Sequence, residues 1–169
     1  ELTIQKADHF KQKPADESKL GFGQIFTDHM FNMDYNRENG WHNPRIEAYQ
    51  SMQMDPATMM LHYGQAVFEG LKAYRTPGGE IQLFRPQENF HRMNASNRLL
   101  CIPEMDEHFA LECLKELLRV EKDWVPGAPG TSLYIRPTVI ATDVFLGVRA
   151  SDTYRFFIIL CPVGAYYAE

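Results

Sequence analysis

Apolar residues recur along this chain with two different periods, and the switches between them mark its elements. Residues 24–35 alternate loosely, through Ile25, Phe26, Met30, Phe31 and Met33, and predict a strand. Residues 36–43 carry Asn39-Gly40 and Trp41-His42-Asn43-Pro44, which is turn chemistry, and residues 45–54 predict a second strand ended by Asp55-Pro56. Residues 60–70 predict a short helix stopped at Gly70. Two apolar runs, 71–75 and 81–85, flank Thr76-Pro77-Gly78-Gly79-Glu80 and predict a hairpin. Pro86 suits a first helical turn, where its missing N–H is harmless, so a helix is predicted from there to about Leu100, closed by Ile102-Pro103.

Asp106 is placed to cap the next helix. Its stripe runs through Ala110, Cys113 or Leu114, Leu117, Val120 or Glu121, and Trp124, with Lys115, Glu116, Arg119 and Lys122 on the solvated side. Pro126 to Gly130 form a rigid connection, and residues 131–141 and 153–162 predict two further strands. The run Phe156 to Leu160 is apolar enough to predict a central strand buried on both faces. Strands, then helices, then strands again, with hairpin-length links, predict an α+β fold with a mostly antiparallel sheet and two main helices. Residues 1–20 predict an irregular lead-in, and residues 21–169 one domain.

Bulk composition narrows the function classes. The 169 residues suffice for one core, and 44% hydrophobic with 23% charged residues is ordinary for a globular domain. A formal charge of -5 argues against a nucleic-acid partner, which needs a basic footprint. No run approaches the ~18 apolar residues of a membrane span, and the polar N-terminus does not resemble a signal peptide. The chain does not begin with Met and has no polar tail, so both ends read as cut. Cys101, Cys113 and Cys161 cannot form a closed disulfide set and imply free thiols in a reducing compartment, the cytoplasm. The six histidines never lie three or four apart, so no metal site is expected. There is no phosphate loop, no complete dinucleotide fingerprint and no nucleophile elbow.

Two segments place polar groups inside apolar patterns. Tyr134 and Arg136 lie two apart on a predicted strand and therefore share a face. A guanidinium fork beside a phenol can hold a carboxylate, although a solvent-facing strand edge or a structural ion pair would look the same. Arg92, early in the helix after Pro86, can serve a phosphate or simply pair with Glu88, four residues back.

The segments LHYGQAVFEGLKAYR, LFRPQENFHRM, EKDWVPGAPGTSLYIRPTVIATDVFLGV and CPVGAYY, in that order, resemble the branched-chain amino-acid aminotransferases, pyridoxal-phosphate enzymes of fold type IV. FGQIFTDHMF and GWHNPRIEAYQ resemble the long form of that family. The resemblance implies that the chain is the N-terminal small domain, and that the larger C-terminal domain with the Schiff-base lysine is absent. No catalytic residue is then expected here, and Lys72 is read as structural. Arg92 matches the cofactor-phosphate arginine, and Phe22, Phe68, Tyr134 and Arg136 match residues of the substrate pocket. Tyr63, Leu146 and Val148 match residues that reach the neighbouring subunit's site in a homodimer.

The implied activity is amino-group transfer between leucine, isoleucine or valine and 2-oxoglutarate, with amino acids and 2-oxo acids as small-molecule partners. A mitochondrial setting is implied for a eukaryotic source. A D-amino-acid transaminase or an aminodeoxychorismate lyase of the same fold type is the nearest alternative. A non-catalytic dimerisation or binding module is the alternative from another class.

Overall fold

The computed structural model describes residues 1–164; the end of the CPVGAYY segment, with Tyr166 and Tyr167, lies outside them. The strands are β1 (Thr3–Ile4), β2 (His29–Asn36), β3 (Gly40–Ala48), β4 (Ala66–Phe68), β5 (Leu71–Arg75), β6 (Ile81–Leu83), β7 (Ser132–Ala141) and β8 (Thr153–Val163). The helices are α1 (Met59–Tyr63), α2 (Pro86–Leu99) and α3 (Glu107–Val120). The strands form one sheet in the order β1-β3-β2-β8-β7-β5-β6, with β4 paired to β7 off this path. Every pairing is antiparallel except the short parallel contact of β1 with β3. The expected α+β architecture with a mostly antiparallel sheet is borne out.

Local chemistry explains several elements. Helix α2 starts with Pro86, and the Asp106 carboxylate accepts the Phe109 N–H at 3.0 Å to cap α3. The stripe Ala110, Cys113, Leu114 and Leu117 is buried, as its spacing predicts. The β2–β3 turn is tighter than the sequence suggests. The Asn36 side chain accepts the Asn39 N–H at 2.8 Å, and β3 begins already at Gly40. Pro44 is tolerated inside β3 because the pairing slips there: Asn32 faces Arg45 while Asp34 faces His42, and Asn43 takes a φ of 54°.

Two readings are corrected. The helix expected over residues 60–70 ends at Tyr63, where Gly64 adopts a left-handed φ of 63°, and β4 follows to pair with β7. Pairing with a distant strand overrides the local helical pattern here. Strand β8 is central, but it is not buried on both faces. Tyr154, Phe156, Ile158 and Leu160 are buried, whereas Arg155, Phe157 and Ile159 are only partly covered.

That alternation defines the molecule. Helices α2 and α3 pack Phe90, Met93, Leu114 and Leu117 onto the inner face of the sheet, against Phe31, Leu133, Ile135, Phe156 and Ile158. The outer face stays half open, and register lines it up. Tyr134 faces Cys161 and Lys72, Arg136 faces Ile159, and Thr138 faces both Phe157 and Phe68. The first twenty residues are tied down rather than trailing. The Ala7 N–H donates to His29 Nε2 at 2.8 Å, and the Glu17 carboxylate accepts from Gly127 and Ala128.

Candidate substrate wall and phosphate arginine

The outer face of β7 presents a guanidinium and a phenol as a unit. Arg136 Nη2 donates to the Tyr134 hydroxyl at 2.8 Å, and the two side chains are partly buried. The Phe68 ring lies under the Arg136 guanidinium, 4.3 Å from its carbon to the ring centroid. Phe22 packs edge-on against the Tyr134 ring at 4.9 Å between centroids. All four residues expected in the substrate pocket are thus gathered on one patch. Phe22, Phe26, Tyr134, Arg136, Ile159 and Cys161 border a cleft of about 230 Å³. Its aromatic and aliphatic walls suit a branched apolar group, and the guanidinium at the edge suits a carboxylate.

A second cleft of about 410 Å³ lies on the other side of Tyr134, bordered by Gly70, Lys72, Tyr74, Phe84 and Asn89. Lys72 therefore sits in this concavity and not in the core. Asn89 leads from this cleft to Arg92, because both donate to the Glu69 carboxylate.

Arg92 does not pair with Glu88, the partner suggested by spacing. Glu88 pairs with Arg85 at 3.2 Å. Arg92 instead meets Glu69 in a two-pronged contact, Nε to Oε1 at 2.6 Å and Nη2 to Oε2 at 2.7 Å. The guanidinium remains 68% exposed while the carboxylate is 5% exposed. Burial pushes the Glu69 carboxyl up, but hydrogen bonds from Arg92 and Asn89, the Arg92 charge and the Gly70 N–H more than offset it, and it titrates below the usual range.

Three consecutive residues, Phe68-Glu69-Gly70, therefore connect the two candidate regions. Phe68 touches Arg136, Glu69 holds Arg92, and Gly70 lies against Tyr134. The Glu69 N–H donates to the Pro137 carbonyl at 2.9 Å, which fixes the tripeptide to β7. The resemblance singled out Phe68 but not Glu69. The one available signal was an acid enclosed between an aromatic residue and a glycine at a strand end.

The three residues expected to reach a neighbouring subunit lie elsewhere. The Tyr63 hydroxyl donates to the Leu146 carbonyl, so these two are brought together, and Val148 is 88% exposed in the same loop. The loop is pinned to α1 by the Met59 N–H to the Asp143 carbonyl at 2.8 Å and by a bridge between Thr58 and Val144. Among the described residues no helix is long and apolar enough to cross a membrane, and no cluster of side chains could hold a metal ion.

The sheet thus carries helices on one face and an arginine–tyrosine–aromatic wall on the other. Comparison with known proteins shows what the chain is similar to. The chain is 57% identical over 169 residues to branched-chain-amino-acid aminotransferase 2 of Bacillus subtilis (strain 168), covering 100% of this chain and 45% of that protein. It is 44% identical over 167 residues to the mitochondrial branched-chain-amino-acid aminotransferase of Rattus norvegicus, covering 99% of this chain and 42% of that protein. The branched-chain aminotransferase of Thermoproteus uzoniensis with norvaline superposes with a TM-score of 0.62 over 80% of this chain and 41% of that one, and at 19% identity the likeness bears on fold alone. The T.th. branched-chain amino acid aminotransferase with pyridoxamine 5'-phosphate gives a TM-score of 0.62 at 26% identity, over 89% of this chain and 42% of that one. No protein-family model matches the chain. The resemblance to branched-chain amino-acid aminotransferases is borne out along the chain, which spans about 45% of the length of the curated Bacillus relative.

Proposed function

We propose that these residues form the substrate-recognising wall of a pyridoxal-phosphate transaminase acting on leucine, isoleucine, valine and 2-oxoglutarate. The observation that carries this reading is the Arg136–Tyr134 pair set among aromatic rings, with the hydroxyl 2.8 Å from Nη2. The two substrate types make opposite demands. An aliphatic side chain is stabilised by losing water at roughly 25 cal/mol per Å² of apolar area. A carboxylate placed in the same space carries a large cost unless it is paired. Phe22, Phe26 and Ile159 meet the first demand. Arg136 meets the second, and its tyrosine and phenylalanine neighbours hold the guanidinium ready at the rim.

The residues present also suit the cofactor. A guanidinium has five N–H groups. Glu69 takes two of those on Arg92, and the remainder are available to phosphate oxygens on an exposed side chain. When bound, pyridoxal phosphate supplies the carbonyl and electron-accepting ring through which an amino group is exchanged. The lysine that would hold it belongs, on this reading, to a larger domain outside these 169 residues. Residues 21–169 act as the small domain, with Arg92 on the phosphate and Phe22, Phe68, Tyr134 and Arg136 on the substrate.

The exposed Leu61, Tyr63, Val144, Phe145, Leu146 and Val148 around the α1 loop support a homodimer in which this surface meets a second subunit. The three free cysteines fit a cytoplasmic setting. Amino-donor preference of the complete enzyme tests the proposal. L-leucine should be a far better donor to 2-oxoglutarate than D-alanine. A preference for D-alanine would assign the chain to a D-amino-acid transaminase instead.

A further inference from the structure

Glu69 is a buried acid that lines neither cleft itself but holds Asn89, which borders the second one. Its two oxygens receive Arg92 in two parallel bonds, 2.6 and 2.7 Å long, and Oε2 also receives Asn89 at 2.9 Å. Its own N–H is fixed to the Pro137 carbonyl on β7, one residue from Arg136. A carboxylate facing a phosphate site is unexpected on charge alone, because it repels the anion that Arg92 would bind. Fork-to-fork pairing, however, locks the plane of a guanidinium as no single contact can. Without it, an arginine side chain as exposed as Arg92 would sample many rotamers and lose entropy on capturing a ligand.

We infer that Glu69 is a positioning residue that fixes the Arg92 guanidinium for the cofactor phosphate, from a backbone bonded to the strand that carries Arg136. The inference rests on the assignment of Arg92 to the phosphate. One rigid tripeptide then sets the distance between the phosphate end of the pocket and its substrate wall.

The test is equilibrium binding to the apo form of the complete enzyme, with pyridoxal phosphate and unphosphorylated pyridoxal as the two probes. Glu69→Gln keeps the size of the side chain but loses the paired carboxylate. It should weaken pyridoxal phosphate roughly tenfold, the size of a lost charge-assisted hydrogen bond, and leave pyridoxal unchanged. Tighter phosphate-ester binding would mean that Glu69 only opposes the anion, and equal weakening of both probes would mean a purely structural role; either overturns the inference.

Arg92→Gln separates this from the underlying assignment. If it leaves the preference for the phosphorylated probe intact, Arg92 does not hold the phosphate and both readings fall. If it abolishes that preference while Glu69→Gln does not, only the positioning role is lost. In the Arg92→Gln background, Glu69→Gln should have no further effect. Should Glu69→Gln fail to fold, Asn89→Ala, which removes one bond to Oε2, should show a smaller loss of the same selectivity; no loss would count against the inference.

Discussion

Gly70 and Tyr134 approach so closely that no β-carbon fits between them. One built on Gly70 would overlap the Tyr134 hydroxyl and lie 3.2 Å from Cζ. Glycine is required here for backbone approach, because its φ is not in the left-handed region. The atom in the way is the far end of a side chain, so Gly70→Ala should fold. The displaced phenol should lose its bond to Arg136. In the complete enzyme we expect KM for 2-oxoglutarate to rise several-fold with little change for leucine, checked by steady-state kinetics with each substrate varied.

Asp106 caps α3 through a single bond to the Phe109 N–H. Asp106→Ala should lower stability by about 1 kcal/mol, the usual worth of an N-cap. Urea unfolding followed by circular dichroism measures it, as a lower midpoint with an unchanged slope.

On the outer face of β2, Asp34 accepts Arg155 Nε at 2.8 Å and Arg45 Nη1 at 2.7 Å. Burial raises its carboxyl, but the hydrogen bonds and charges of Arg155 and Arg45 outweigh that and leave it below the usual range. A depressed folded-state value means that protons bind the unfolded chain more readily. The stabilisation is therefore full above roughly pH 4, the ordinary aspartate value, and fades as pH falls through the folded one. Asp34→Asn should lower the urea midpoint at pH 7, and the gap to the wild type should shrink below about pH 4.

The three thiols should differ in reactivity. Cys101 is exposed, whereas Cys113 and Cys161 are buried. Burial against the core pushes the Cys113 thiol up to about 12, with Glu112 and Glu116 adding to the shift. Under native conditions an aromatic disulfide reagent at pH 8 should titrate Cys101 quickly and the other two only after denaturant is added. Fast reaction at Cys113 would contradict the packing of α3.

Features fixed by neighbouring residues were legible before the structure. The hairpin around Gly78 and Gly79, the helix start at Pro86 and the cap at Asp106 each follow from local backbone chemistry. So did the shared face of Tyr134 and Arg136, because strand alternation needs no partner to be known. What escaped is nonlocal. Residues 66–68 have a helix-like approach but are captured by β7, more than sixty positions away. Arg92 and Glu69 are 23 residues apart, while the nearer Glu88 offers the standard helical spacing and is taken by Arg85. The half-open outer face of β8 was hidden by its unbroken apolar composition. An apolar run does not tell a doubly buried strand from one whose second face lines a pocket.

In the proposed function one wall recognises both an aliphatic side chain and a distal carboxylate, and Arg136 serves only the second. Arg136→Met in the complete enzyme tests it, because methionine keeps the length and apolar stem while removing the charge. The kcat/KM for 2-oxoglutarate should fall roughly 100-fold, as for loss of a buried charge pair, while the half-reaction with leucine should change less than about threefold. Equal losses for the two substrates would contradict it.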